Sequence, residues 1–154
     1  MKDLKEKKLG LAGGTKLILD IMFYGGILVT ATLPLSLKWI GEYLLRIQEN
    51  YAASLIVYFV LGVSAILLLN ELRKIFRTVL TEDCFVTENV VSLRRMGSIS
   101  FFIALMSVVR GIVFMTMAIL VVILVFVIAG LFSKVLAYVF EEAVRYKEEN
   151  DLTI

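Results

Sequence analysis

From Met96 to Phe140 the chain carries only two charged residues, Arg110 and Lys134. As one straight helix this run would extend about 68 Å at 1.5 Å per residue, more than twice the ~30 Å hydrocarbon core of a bilayer. It must therefore fold back on itself as two spans. Arg110-Gly111 is the expected outer turn, because the charge there reaches water and glycine permits the bend. The two spans are expected at 92–109 and 113–140, with Arg94 and Arg95 reaching back from the start of the first to the interface.

Two further apolar stretches precede this run. Residues 17–37 are broken only by Asp20, with Lys16 and Lys38 flanking them, and Pro34 falls in the last turn, where its missing amide frees the Thr30 carbonyl at little cost. Residues 52–69 are apolar throughout. Trp39, Tyr43 and Tyr51 lie between these stretches, at the level where amphipathic rings favour a membrane interface. The first sixteen residues are polar and basic. The stretch after them is too long for the apolar part of a signal peptide and is expected to remain as a span. With 60% hydrophobic residues, 19% charged residues and a mean hydropathy of +0.90, the chain has lipid rather than water as its main solvent. The expected fold is an all-α polytopic membrane protein, a bundle of four transmembrane helices in a single domain, with helical extensions in the cytoplasm.

The second apolar stretch runs directly into Asn70-Glu71-Leu72-Arg73-Lys74-Ile75-Phe76-Arg77, whose Leu72, Ile75, Phe76 and Val79 share one helical face, so that helix is expected to continue past the bilayer. Thr81 to Thr87 break the pattern. Thr87 can cap a new helix with Glu88 in its first turn. Residues 70–91 then form a cytoplasmic loop, and 141–154 a cytoplasmic tail. Of the sixteen Lys and Arg residues, thirteen lie on the side of the termini and central loop and three on the other. The positive-inside rule is expected to place both termini in the cytoplasm.

Leu72-Arg73-Lys74-Ile75-Phe76, Phe85-Val86-Thr87-Glu88-Asn89, Leu93-Arg94-Arg95-Met96-Gly97 and the terminal Tyr146-Lys147-Glu148-Glu149-Asn150-Asp151-Leu152-Thr153-Ile154 resemble the DUF2975 family of bacterial membrane proteins, a domain of unknown function. The resemblance extends from the second helix to the end of the chain. Relatives often carry proline where this chain has Cys84. The resemblance implies four spans and a link to a small helix-turn-helix regulator, since such regulators are often encoded beside members of the family.

Few residues offer chemistry. Cys84 is the one cysteine and histidine is absent, which rules out an intramolecular disulfide and sites built on histidine. Serines and threonines lack a histidine base, and the spans hold no paired carboxylates. No enzyme activity, cofactor or metal is expected. A net charge of +2 with interleaved acids and bases leaves no basic patch for direct nucleic-acid binding. Asp20 is the one acid inside an expected span. It reads either as a proton or cation site or as the partner of Lys16, one turn away, near a helix N-terminus. Ala129, Ser133 and Ala137 on the fourth helix, with Gly26 and Thr30 on the first, form small-residue faces for close helix packing. Phe85, Thr87, Glu88 and Asn89 in the central loop, with Glu149, Asn150 and Asp151 in the tail, are the candidate docking residues for a cytosolic partner, a small DNA-binding regulator. A regulatory membrane protein that docks this partner is the leading reading. A small oligomeric transporter or channel, lined by Asp20 or the small-residue faces, is the alternative.

Overall fold

The computed structural model describes residues 2–41, 51–81, 84–113 and 116–151. Tyr43, Leu152, Thr153 and Ile154 lie outside them. Four helices account for nearly all of the described residues: α1 (Lys2–Gly41), α2 (Tyr51–Leu80), α3 (Thr87–Val113) and α4 (Met117–Asp151). Each is long and apolar enough to cross a membrane.

The distribution of residue types is the reverse of a water-soluble bundle. The buried positions are rich in Ser, Gly and Ala, while Leu17, Leu28, Leu35, Phe59, Leu105, Leu124, Phe132 and Val135 are exposed. So much exposed apolar surface would drive aggregation in water; in lipid it is solvated. Helix association in lipid relies on close backbone approach and on internal hydrogen bonds, which small residues allow. The buried hydroxyls of Ser64 and Ser107 donate to the carbonyls of Val60 and Ile103 one turn earlier, so neither is left unsatisfied.

The helices run up and down and pack in chain order. α1 lies on α2, α2 on α3 and α3 on α4, while among the described residues no Cα of α1 comes within 8 Å of α3 or α4, and none of α2 within 8 Å of α4. α3 consequently has neighbours on two sides. Among its buried residues, Asn89, Leu93, Met96, Ser100, Ile103 and Ser107 are spaced alternately by four and three, the stripe of a left-handed helix crossing, with Val90, Ser92, Gly97 and Ala104 buried beside it. The facing stripe on α4 is Gly130, Ser133 and Ala137. Here α3 and α4 approach so closely that a Cβ on Gly97 would lie 3.1 Å from the Gly130 carbonyl oxygen. A Cβ on Gly62 of α2 would likewise lie 2.7 Å from Thr30 Oγ1 of α1. Ser133, Ala137 and Thr30 are therefore buried packing positions.

Two details differ from the sequence expectation. The turn between α3 and α4 does not fall at Arg110-Gly111, since α3 continues through both residues to Val113 and α4 starts at Met117 rather than at 113. Gly111 serves a close approach instead: a Cβ there would meet Ile119 of α4 at 3.3 Å, so the glycine stays helical. The Thr116 carbonyl accepts the first amide bond of α4, from Ile119 at 3.0 Å. Secondly, α1 begins at Lys2, so Asp20 stands mid-helix and gains nothing from a helix N-terminus.

Candidate functional site

Charged side chains gather at one end of the four helices. Measured by helical rise, Asp20 lies about 31 Å from Gly41, Glu71 about 30 Å from Tyr51, Arg94 about 28 Å from Val113 and Lys134 about 26 Å from Met117, at 1.5 Å per residue. These lengths match a ~30 Å hydrocarbon core, so all four residues belong to one interfacial belt.

Within the belt the charges pair between helices. Arg73 Nε of α2 donates to Asp20 Oδ1 of α1 at 2.5 Å. The same guanidinium lies over the Phe23 ring, 4.3 Å from its centroid, and 5.5 Å from that of Tyr24. Asp20 thus takes its partner from α2, not from Lys16. Glu71 is buried at the α2–α3 contact, where its Oε1 accepts from Lys74 Nζ at 2.7 Å and faces Arg95 at 3.6 Å. Among the described residues no hydrogen-bond partner reaches its Oε2, although Ser92 of α3 stands beside the carboxylate. Arg94 of α3 donates to Glu141 of α4 at 2.6 Å. Lys134 donates to Ser98 Oγ at 2.9 Å. At the far end Arg110 donates to the Tyr58 hydroxyl at 2.5 Å and lies over the same ring, 4.1 Å from its centroid. This folds the cation back onto α2.

The candidate docking residues do not form one surface. Phe85 is half exposed and rests against Phe140 of α4, ring centroids 5.4 Å apart. Thr87 and Glu88 are exposed at the start of α3. Asn89 is only 1% exposed. Its Nδ2 donates to Thr78 Oγ1 at 2.7 Å and to the Cys84 carbonyl at 2.8 Å, and the Thr78 hydroxyl in turn donates to the Ile75 carbonyl. This polar residue clamps the loop to α2 and offers nothing to a partner. Glu149 and Asn150 are exposed, and Asp151 is the last residue of α4. The helix continues about 16 Å from Phe140 to Asp151 at 1.5 Å per residue, well beyond the level of Phe85. Arg145 braces this projection through Glu142 at 2.5 Å and Glu149 at 3.8 Å.

Sequence reasoning passed over Glu71, Arg73 and Lys134 as parts of a site. Lys134 carried a signal, being one of two charges in a long apolar run; Glu71 and Arg73 lay in a polar stretch that reads as solvated helix. Among the described residues no group of three or more His, Cys, Asp or Glu side chains is arranged to hold a metal.

No curated protein and no solved structure matches the chain. The family model that does match covers residues 36–154, from the last turns of α1 through the whole of α2, α3 and α4, and so includes most of the charged belt and the projecting end of α4. The chain is an integral membrane protein and belongs to the family described as protein of unknown function DUF2975.

Proposed function

We propose that this protein sits in a bacterial cell membrane with both termini in the cytoplasm and holds a cytosolic partner, a small basic DNA-binding regulator, on the projecting end of α4. The observation that carries the reading is the projection itself. From Arg145 to Asn150 every residue of α4 is exposed, and the segment from Glu141 to Asp151 holds five acids against two bases. An exposed helix end, acidic and continuous with a spanning helix, is a fitting contact for a basic protein. Exposed Glu88 and Thr87 at the start of α3 add a second, nearer contact. The regulator link is what the family resemblance implies, and the thirteen-to-three charge asymmetry supports the orientation. The transporter reading draws less support: Asp20, its main candidate, is ion-paired with Arg73, and the small-residue faces are filled by helix packing.

The test is reconstitution of the full chain in lipid nanodiscs with a purified small helix-turn-helix regulator of the kind often encoded beside members of the family. A complex that weakens as salt rises from low to physiological ionic strength, where the Debye length is about 8 Å, is expected. Deleting Glu149 to Ile154 should reduce binding strongly, and a Thr87→Ala, Glu88→Ala variant moderately. Unchanged binding in both variants excludes these segments as the docking site.

A further inference from the structure

Because α2 and α4 both pack on α3 but not on each other, a groove of about 550 Å³ is left between them at the charged end. Its apolar lining is Leu67, Val91 and Ile99, and its cations are Arg94, Arg95 and Lys134. We propose that this groove binds an anionic phospholipid of the adjoining leaflet, with the phosphodiester held by the three cations and an acyl chain lying along Leu67 and Ile99.

The position fits. Arg94 and Lys134 stand about 28 and 26 Å from the far ends of their helices, which is the depth at which the hydrocarbon core ends and lipid phosphates begin. Leu131, Phe132 and Val135 around Lys134 are exposed, so lipid reaches this lysine from the side.

The charge also fits. Lys134 has no carboxylate partner among the described residues; its ammonium bonds to Ser98 and keeps further donors. Its side chain lies across Gly97, where a Cβ would come 2.9 Å from Lys134 Cγ, so the glycine seats the lysine at the groove. The Arg94 and Arg95 side chains are more than half exposed. Glu71 and Glu141 are the carboxylates at the site, and they are shared among Lys74, Arg94 and Arg95. That leaves a positive excess beside an apolar wall. A free anion would use the charge alone, whereas a lipid also covers Leu67, which is exposed. Basic pockets between spanning helices are a general form of acidic-lipid site.

The full chain in a neutral detergent is offered phosphatidylglycerol or phosphatidylcholine with the same acyl chains, with retained lipid counted by native mass spectrometry. Preferential retention of phosphatidylglycerol is expected, about fivefold weaker for each of Lys134→Gln and Arg95→Gln, at the ~1 kcal/mol that one interfacial cation contributes. Lys134→Arg should retain the lipid, as should Arg145→Gln on the projecting end of α4. Three results would each overturn the proposal: equal retention of the two lipids, a loss in Arg145→Gln as large as in Lys134→Gln, or displacement of phosphatidylglycerol by millimolar inorganic phosphate, which would mark a site for a free anion.

Discussion

Replacing Asp20 by Asn, Arg73 by Gln, and both together separates a structural ion pair from a transport site. The carboxylate and guanidinium keep 34% and 23% of their side-chain exposure, so solvent screens the pair and its Coulomb energy is that of a partly wet interface. Exposed ion pairs contribute about 0.2–1 kcal/mol, and polar contacts between membrane helices average about 0.6 kcal/mol. A coupling energy of about 1 kcal/mol is therefore expected from the double-mutant cycle. The two single variants should be unequal. Arg73→Gln removes the stacking on Phe23 as well, a further ~0.5–1 kcal/mol, and leaves Asp20 without its cation; Asp20→Asn leaves the stacked arginine in place. Losses of about 2 kcal/mol for Arg73→Gln and about 1 kcal/mol for Asp20→Asn follow. Reversible unfolding in mixed detergent and dodecyl sulfate, followed by the fluorescence of Trp39, measures all four proteins. A larger loss for Asp20→Asn than for Arg73→Gln would refute the pairing. So would an Asp20→Asn protein of unchanged stability that abolishes an ion flux seen with the wild type in proteoliposomes, which would restore the channel reading.

Asn89→Ala should cost about 1–3 kcal/mol in the same assay, because the Cys84 carbonyl and the Thr78 hydroxyl lose a buried donor, and amide exchange should accelerate at Cys84 to Glu88; unchanged stability and exchange would show that the clamp is dispensable. For the orientation, native Cys84 should be protected from an impermeant maleimide in intact cells, while Thr116→Cys in a Cys84→Ser background, exposed at the α3–α4 turn, should be labelled. The opposite pattern would invert the topology.

Four spans were legible because hydropathy acts over many residues, and the break from Thr81 to Thr87 was legible because it interrupts a helical face. The turn between α3 and α4 was misplaced by a few residues, since glycine after arginine has two uses, bending a chain and admitting a neighbour, and only the packing of Ile119 on Gly111 decides between them. Pairing across space was harder still. Asp20 and Arg73 are far apart in sequence, and Lys16 was the nearer cation by chain position. Asn89 reads in sequence as a docking residue because it sits among Thr and Glu, yet the α2–α3 corner needs a buried donor to satisfy the Cys84 carbonyl, and Asn89 supplies it.

With Asp20 and Glu71 paired and the small residues filled by packing, the two proposed binding sites lie outside the helix contacts and differ in sign. The groove beside Lys134 is basic and lies at the depth of lipid phosphates, whereas the end of α4 is acidic and lies further out. From Lys134 to Glu149 the helix rises about 22 Å at 1.5 Å per residue. This exceeds the ~8 Å Debye length at physiological ionic strength, so the cations of the groove neither neutralise the acids of the projection nor repel a basic partner approaching them. A basic partner held there, as proposed, would also stay clear of the anionic lipid surface, which otherwise competes for basic residues. A spanning helix that continues unbroken past the charged belt would thus be the physical element by which one chain, as proposed, holds an acidic lipid and a basic protein at the same time.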